Sequence, residues 1–402
     1  MITTAEASRA IADSMPAFDS ESVALDNATG KVLRQVVAAE RDQPPFDRVT
    51  MDGIAIQFSS FDAGNRQFSI QGTQHAGDPV QALRSNQNCI EIMTGSVLPQ
   101  GCDCVIPVER ISVTDNVATI EDDYTAKAHQ FIHPRGSDHA AGHEVLQAGI
   151  VISPLDIAII ASCGLNNVEV GRAPVVRVIS TGNELIPAGK PIAAHQIRMS
   201  NGPALVAMLS RQGFIDSKHD HLLDDPVLLE RELGRHLEEA NVLILSGGVS
   251  MGKADFVPQV LEKLGVRVVF HKISQRPGKP MWFGIGPAEQ AVFALPGNPV
   301  SSLVCCRQYV LPALFRACGR GVATVLNAAL AEDVEFSANL TCFLPVRMTS
   351  GDDGSILATP VPTNTSGDFA SLGGTDGYIE LNKDESHFAA GTVVPLHLWA
   401  NP

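Results

Sequence analysis

Three turns in the segment 242–303 carry the residue types that bind phosphates and oxyanions. They are Ser246-Gly-Gly-Val-Ser250, Arg276-Pro-Gly-Lys279-Pro280 and Pro296-Gly-Asn-Pro299. Together they offer backbone N–H groups, hydroxyls and two cations, which suit a phosphorylated or oxyanionic ligand. Each turn follows an apolar, strand-like run, so we expect all three at the carboxyl edge of one sheet. That edge is where open α/β sheets bind ligands.

The basic turn Arg276–Pro280 is the most specific of the three. Its prolines fix the backbone while two cations flank it, an arrangement that suits a compact oxyanion. The residues alone leave a solvated basic loop open as the alternative.

Acidic residues near these turns suggest a divalent metal. The candidates are Asp224 and Asp225, which are adjacent, and Asp255, which follows the first glycine turn. Glu184 ends the segment Ser180-Thr-Gly-Asn-Glu184, which supplies a hydroxyl, a glycine turn and a carboxylate. Mg²⁺ favours one or two carboxylates together with phosphate oxygens. Ordinary roles compete with this interpretation: segment 180–184 can be a plain turn, and Asp225 and Asp255 can cap helices. The residue types do not decide between them.

Other familiar sites are absent or weakly indicated. The turn at Ser246 is not a Walker loop, because no Gly-Lys-Ser/Thr follows it, and the chain has neither a nucleophile elbow nor a dinucleotide-binding glycine motif. Four histidines, at 129, 133, 139 and 143, invite a zinc interpretation. Pro134 and Gly136 break any helix through them, so a solvated loop role is favoured.

The elements that must position these residues follow from periodicity. Helices are predicted at 3–14, 21–38 and 153–163, a proline-broken linker at 41–50, and short β-strands from 51 to about 145. The helix at 3–14 begins at a Thr with Glu6 as a cap partner. From Pro174, strands and helices alternate, which predicts a βαβ series with a parallel or mixed sheet. After about 325 the pattern is β again.

Composition limits the class of protein. The chain has 402 residues, of which 45% are hydrophobic and 18% charged, with a net charge of −15. This acidity argues against a non-specific nucleic-acid binder. The eight cysteines form no Cys-x-x-Cys pair, which favours reduced thiols. We see no signal peptide or membrane span and expect a cytoplasmic protein.

Seven ordered motifs give the chain a family resemblance. They are Pro45–Gly53, Met93-Thr-Gly95 with Gly101–Ile106, Arg135–Asp138, Ser180–Glu184, Ser246–Ser250 with Asp255, Arg276–Pro280 and Leu295–Val300. In this order they resemble the molybdopterin molybdenumtransferases, the MoeA family, to which the gephyrin E domain also belongs. The resemblance covers essentially the whole chain.

The resemblance implies a multidomain α/β plus β fold and a homodimer. Its four parts are a discontinuous helical, dimerising domain at 1–50 and 144–172, a β-rich lobe at 51–143, an α/β molybdopterin-binding domain at 173–320 and a C-terminal β-barrel at 325–402. The implied reaction inserts molybdate into the dithiolene of adenylylated molybdopterin and releases AMP, with Mg²⁺ assisting. The partners are those two substrates, with no nucleic acid and no membrane. Docking of the molybdopterin adenylyltransferase or of apo-molybdoenzymes stays open.

The resemblance also assigns residues position by position. It implies catalytic roles for Glu184, Asp224, Asp255, Asp52, Thr94 and Asp138, the first three also as metal ligands and the last three acting across the dimer interface. It implies molybdate binding by Arg276, Lys279, Pro280, Arg347 and Ser366. It implies molybdopterin and phosphate binding by Ser180, Thr181, Gly182, Gly247, Gly248, Ser250, Pro296, Gly297 and Asn298.

The chain departs from the family pattern at two positions. Ile54 stands where a Tyr is usual, which removes a hydroxyl, and Asn183 replaces a frequent Asp, which lowers the negative charge near the expected metal. Two alternatives also remain: a paralogue that handles tungstate, and a scaffold protein of the gephyrin type that keeps the fold.

Overall fold

The computed structural model describes residues 1–248, 256–321, 325–336 and 339–400. These residues form two compact units. The first unit, called the large unit, contains Met1–Gln35, Ala148–Pro154 and Asn167–Pro402, and the second, called the small unit, contains Val36–Gln147 and Leu155–Asn166.

The helices lie mostly in the large unit. The α-helices are α1 Thr4–Ser14, α2 Phe58–Asp62, α3 Pro154–Ser162, α4 Asn201–Arg211, α5 Pro226–Glu239, α6 Val257–Lys263, α7 Pro299–Cys305 and α8 Leu311–Ala317. A π-helix, Cys306–Val310, joins α7 to α8, and 3₁₀ turns occur at Leu25–Asn27, Val108–Arg110 and Ala370–Leu372.

The strands are distributed along the whole chain. Before α3 they are β1 Ser20–Ala24, β2 Val37–Ala38, β3 Arg48–Val49, β4 Gly53–Ile56, β5 Gln67–Gln74, β6 Asn88–Ile92, β7 Cys104–Pro107, β8 Ile111–Thr114, β9 Val117–Ile120, β10 Ile132–His133 and β11 Glu144–Leu146. From α3 to α8 they are β12 Asn167–Gly171, β13 Val176–Thr181, β14 Leu185–Ile186, β15 Ile197–Arg198, β16 Ser217–Leu222, β17 Val242–Ser246, β18 Arg267–His271, β19 Gln275–Arg276, β20 Trp282–Ile285 and β21 Ala291–Leu295. After α8 they are β22 Leu326–Leu330, β23 Val334–Glu335, β24 Thr341–Ser350, β25 Ile356–Pro360, β26 Gly377–Leu381, β27 His387–Phe388 and β28 Val393–Leu398.

A six-stranded mixed sheet forms the centre of the large unit, in the order β16-β13-β17-β21-β20-β18. The first four strands are parallel, and β20 runs antiparallel to both of its neighbours. Every residue of β17 and β21 is buried. Continuous apolar runs of this kind are typical of strands covered on both faces.

The direction of these strands places the three turns together. Strands β13, β17 and β21 are parallel, and β18 has the same direction because both it and β21 are antiparallel to β20. The turns that follow Ser246, His271 and Leu295 therefore start from one edge of the sheet. This confirms the expectation drawn from the sequence.

A closed barrel follows the α/β sheet. Its strands pair in the order β24-β25-β22-β28-β26, and β26 pairs again with β24. Strand β19, which begins the basic turn, adds to β24 in parallel. The predicted C-terminal β-barrel is confirmed.

The small unit contains a six-stranded sheet of its own, in the order β7-β4-β6-β5-β9-β8, as expected for the β-rich lobe. Gly53 begins β4 with φ of +154°, and a Cβ there would lie 1.9 Å from the Ile106 carbonyl oxygen. Only glycine allows β4 and β7 to approach this closely.

The N-terminal region contains one correct and one wrong helix prediction. The helix at 3–14 is confirmed as α1, and Thr3 and Glu6 form its capping box. The helix predicted at 21–38 is wrong: Ser20–Ala24 forms β1, which pairs antiparallel with β12, and Gly30 has a φ of +81°. Pairing with a distant strand and a left-handed glycine override the weak helical pattern.

All eight cysteines are buried and unpaired, in agreement with the reduced thiols expected from the sequence. In the ranges that the structure describes, no helix is long and apolar enough to cross a membrane.

Candidate functional site

Two cavities open at the carboxyl edge of the α/β sheet. The basic-turn cavity has a volume of about 700 Å³ and is lined by Gln275–Pro280 together with barrel residues. The glycine-turn cavity has a volume of about 670 Å³ and is lined by the turns after β13, β17 and β21. Pro280, Pro296 and Asn298 line both cavities, so the two are adjacent.

The basic-turn cavity contains most of the predicted oxyanion ligands. Arg276, Lys279, Pro280 and Ser366 all line it. The Arg276 guanidinium carbon lies 6.0 Å from the centre of the Phe336 ring, at the limit of a cation–π contact. Two cations and a hydroxyl around one cavity suit a small dianion.

Arg347 is placed differently from the other four. It lies on β24 and is not among the residues that line the basic-turn cavity. One of its guanidinium nitrogens lies 3.9 Å from the position that a Cβ on Gly374 would occupy. Its role in oxyanion binding stays a prediction.

The glycine-turn cavity brings together most of the residues predicted to bind molybdopterin. Ser180, Thr181, Gly182, Gly247, Gly248, Pro296, Gly297 and Asn298 all line it. Ser250 lies outside the described residues.

The first glycine turn packs against Thr181. Gly247 and Gly248 have φ of +105° and +68°, and a Cβ on either would lie 3.0 Å from the Thr181 hydroxyl. That hydroxyl is buried and has no hydrogen-bond partner among the described residues. The two glycines therefore allow the turn to approach Thr181 closely, and they leave one buried hydroxyl without a partner at this edge of the cavity.

Asn201, at the start of α4, connects two of the turns. Its amide donates to the Ser246 hydroxyl at 2.8 Å and to the Gly297 carbonyl at 2.7 Å. The residue also lines the glycine-turn cavity. Asn201 was not predicted from the sequence, because it lies within the α/β series and belongs to none of the seven motifs.

Two of the three predicted metal ligands share this cavity. Glu184 and Asp224 both line it, and the Asn183 side chain accepts a hydrogen bond from the Asp224 N–H at 3.1 Å. Asp225 caps α5 by accepting hydrogen bonds from the Val227 and Leu228 N–H groups. This is the capping role that the sequence allowed as the alternative to metal binding. Asp255 lies outside the described residues.

The acidic residues fit a magnesium ion that also binds a ligand. Among the described residues no group of three His, Cys, Asp or Glu side chains is arranged to hold a metal by itself. Two carboxylates in one cavity nevertheless match Mg²⁺, which usually combines one or two carboxylates with substrate phosphates.

Edge strand β16 contacts the Ser180–Glu184 segment, which contains the end of β13 and the turn after it, through two histidines. A ring nitrogen of His219 lies 2.9 Å from the Ser180 hydroxyl, and one of His221 lies 2.8 Å from the Gly182 carbonyl. Burial lowers the pKa of His219. This strand was not predicted from the sequence because Lys218–His221 is polar.

The small unit holds the three predicted residues of the β-rich lobe. The Thr94 N–H and hydroxyl both donate to one Asp52 carboxylate oxygen at 2.6 Å, and they lower the pKa of Asp52. A carboxylate oxygen of Asp138 lies 3.0 Å from His133 Nε2, whose ring also contacts Arg48.

The remaining sequence features of this unit have structural explanations. His139 and His143 stack with ring centres 4.8 Å apart, and His133 contacts Asp138. Ile54 is fully buried in the core of the sheet, so the residue that replaces the usual Tyr contributes packing.

Comparison with known proteins covers nearly the whole chain. Residues 2–164 match the MoeA N-terminal region, domains I and II, residues 177–316 a probable molybdopterin-binding domain, and residues 327–399 the MoeA C-terminal region, domain IV. A molybdopterin molybdenumtransferase of Synechocystis sp. is 38% identical over 99% of this chain and 100% of its own. One from Haemophilus influenzae is 33% identical over 80% and 78%. A molybdopterin biosynthesis MoeA protein of Pyrococcus horikoshii has the same fold, with a TM-score of 0.82 at 28% identity and full coverage of both chains.

Proposed function

Because the chain belongs to the MoeA family of molybdopterin molybdenumtransferases, and is therefore an enzyme of molybdenum cofactor biosynthesis, we propose that it inserts molybdate into adenylylated molybdopterin and releases AMP. The observation that carries this proposal is the pair of adjacent cavities. One is lined by two cations and the other by glycine turns and carboxylates, and both share Pro280, Pro296 and Asn298.

In the basic-turn cavity, Arg276 and Lys279 attract the dianion and the Ser366 hydroxyl donates to it. The Asn298 amide donates to that hydroxyl at 2.5 Å, which fixes its orientation. Arg347 is proposed to approach the bound oxyanion from β24. The net charge of −15 makes this local concentration of cations the main electrostatic attraction for molybdate.

In the glycine-turn cavity, the residues assigned to molybdopterin orient the pterin phosphate. The Thr181 hydroxyl and the turns at Gly247 and Gly297 provide donors, and Asn201 keeps the two turns together. Glu184, Asp224 and Asp255 are proposed to hold the magnesium ion. When bound, this ion supplies positive charge against the adenylate phosphates.

We further propose a cytoplasmic homodimer with the four-part organisation that the resemblance implies. Asp52, Thr94 and Asp138 then serve the cavities of the neighbouring subunit. Two contacts support this role. The hydrogen bonds from Thr94 lower the pKa of Asp52, and His133 orients the Asp138 carboxylate.

Removal of one cation tests the site. We expect Lys279→Ala to raise the KM for molybdate about tenfold or more in an assay of molybdate-dependent AMP release, because a charge-assisted contact is lost. The KM for adenylylated molybdopterin should stay unchanged. Lys263→Ala is the matched control, since Lys263 is exposed on α6 and pairs with Glu230 at 2.5 Å. Wild-type kinetics in Lys279→Ala would remove the assignment.

Tungstate competition in the same assay separates the molybdate enzyme from a tungstate-handling paralogue. We expect tungstate to compete with molybdate and to bind more weakly. A lower inhibition constant for tungstate than the KM for molybdate would reverse the substrate assignment.

A further inference from the structure

One fully buried amide, that of Gln275, lies directly before the basic turn. Its Nε2 donates to the Pro277 carbonyl at 3.0 Å and to the Cys305 Sγ at 3.5 Å. Its Oε1 accepts from the Tyr309 hydroxyl. A single side chain thus connects the backbone of the basic turn to two positions of the helix beneath it.

The basic turn fits closely on this support. Gly278 has a φ of +96°, and a Cβ there would lie 2.5 Å from both the Cys305 Sγ and the Gln275 Nε2. The Cys305 thiol also faces the Gly278 carbonyl at 3.8 Å. The middle of the turn therefore rests on the thiol and the amide, with no space for a side chain.

The helix beneath the turn has an unusual geometry at this point. It begins as α7 after Asn298, changes to a π-helix at Cys306–Val310 and continues as α8. Tyr309 belongs to the π-helical turn and is 2% exposed. Such turns shift the direction of side chains and are frequent at functional sites. Here the shift brings the Tyr309 hydroxyl to Gln275.

We propose that Gln275 and Tyr309 are positioning residues that set the affinity of the enzyme for the oxyanion. They hold the backbone from which Arg276 and Lys279 extend, so that both cations face one cavity before the ligand arrives. Without the tyrosine hydroxyl, the buried Gln275 acceptor loses its donor and the amide no longer has one orientation. The inference rests on the proposed function, because it assumes that this turn binds molybdate.

The chain provides a matched control for Tyr309. Tyr378 is fully buried, and its hydroxyl donates to a glutamine of the same π-helix, Gln308, at 2.7 Å. Tyr309→Phe and Tyr378→Phe therefore each remove one buried hydroxyl from one glutamine acceptor. Among the hydrogen bonds of the described residues, Gln275 bonds to the basic turn and Gln308 does not.

The experiment measures AMP release by the full-length protein while sodium molybdate is varied. We expect Tyr309→Phe to raise the KM for molybdate about tenfold, on the scale of one buried hydrogen bond. The kcat and the KM for adenylylated molybdopterin should stay near the wild-type values. Tyr378→Phe should keep the wild-type KM for molybdate.

Equal KM values for molybdate in the two phenylalanine variants would overturn the proposal. Wild-type protein that releases no AMP in response to molybdate would instead contradict the proposed function, so the two failures are distinguishable. Urea unfolding midpoints of both variants exclude a general loss of stability. If Tyr309→Phe does not fold, Cys305→Ser replaces it, because the Cys305 sulfur contacts Gly278. This variant should raise the KM for molybdate several-fold. An unchanged KM would also overturn the proposal.

Discussion

Two histidines of the α/β sheet region, His219 and His236, carry pKa values below 6.5. Burial is the main cause for both. For His236 the neighbouring Arg235 lowers the pKa further, while the Asp220 carboxylate, 3.1 Å from its Nε2, acts in the opposite direction. Burial prevails because the His236 side chain is almost completely enclosed.

These histidines predict how stability depends on pH. The unfolded chain takes up a proton near pH 6.5, whereas the folded protein does so only at lower pH. Their stabilising effect is therefore complete above about pH 6.5 and decreases as the pH falls toward the folded pKa values. The urea unfolding midpoint of the wild type should be lower at pH 5.5 than at pH 7.5.

His236→Gln isolates one of the two groups. Glutamine keeps a donor for Asp220 and does not titrate, so the variant should lose less stability than the wild type between pH 7.5 and pH 5.5. An identical decrease in both proteins would show that His236 does not contribute to the pH dependence.

At the level of elements, two glycines of helices have opposite roles. Gly202, in the first turn of α4, faces His219, and a Cβ there would lie 2.0 Å from the His219 Nε2. Gly234, inside α5, has Leu264 Cδ2 as its nearest neighbour at 3.5 Å, an ordinary contact distance. The first glycine allows a close approach between helix and strand, and the second does not need to be glycine.

Alanine at these two positions should therefore change stability in opposite directions. We expect Gly202→Ala to destabilise by about 1–3 kcal/mol, because His219 must move away from Ser180. We expect Gly234→Ala to stabilise by about 0.5–1 kcal/mol through helix propensity. Urea unfolding of the two variants measures both effects. Destabilisation by both would mean that α5 is packed more tightly than its contacts indicate.

The elements also show what the sequence could predict. The turns at Ser246, Arg276 and Pro296 were placed correctly because strong apolar strands precede each of them and fix its position along the chain. Strand β16 was missed because its middle is polar and its stability comes from pairing with β13. The contact of Gln275 with Tyr309 joins residues far apart in sequence through a π-helix, and no local pattern indicates it.

At the level of the whole molecule, the proposed homodimer makes a distinct prediction. If Asp52 acts on the cavities of the neighbouring subunit, Asp52→Ala and Lys279→Ala remove different halves of one composite site. Unfolding and refolding the two variants together should produce mixed dimers with one intact site each, and these are assayed at a molybdate concentration far below the raised KM of Lys279→Ala. We expect about a quarter of the wild-type rate of AMP release after random assortment.

The control for this experiment is each variant refolded alone, whose rate at the same molybdate concentration should stay well below a quarter of the wild-type rate. A mixture that gains no activity over the separate variants, although mass spectrometry detects mixed dimers, would place Asp52 and Lys279 in the same subunit's site.

Strand β28 joins two neighbours in the barrel, β22 on one side and β26 on the other. A chain growing on the ribosome therefore cannot close the barrel before residues 393–398 have emerged, although the last strand of the α/β sheet, β21, has emerged well before. Ser366 lies between β25 and β26, in the part of the chain that emerges after the α/β sheet. During synthesis we therefore expect the glycine turns to form first. The barrel residues that line the basic-turn cavity are then among the last parts of the protein to fold.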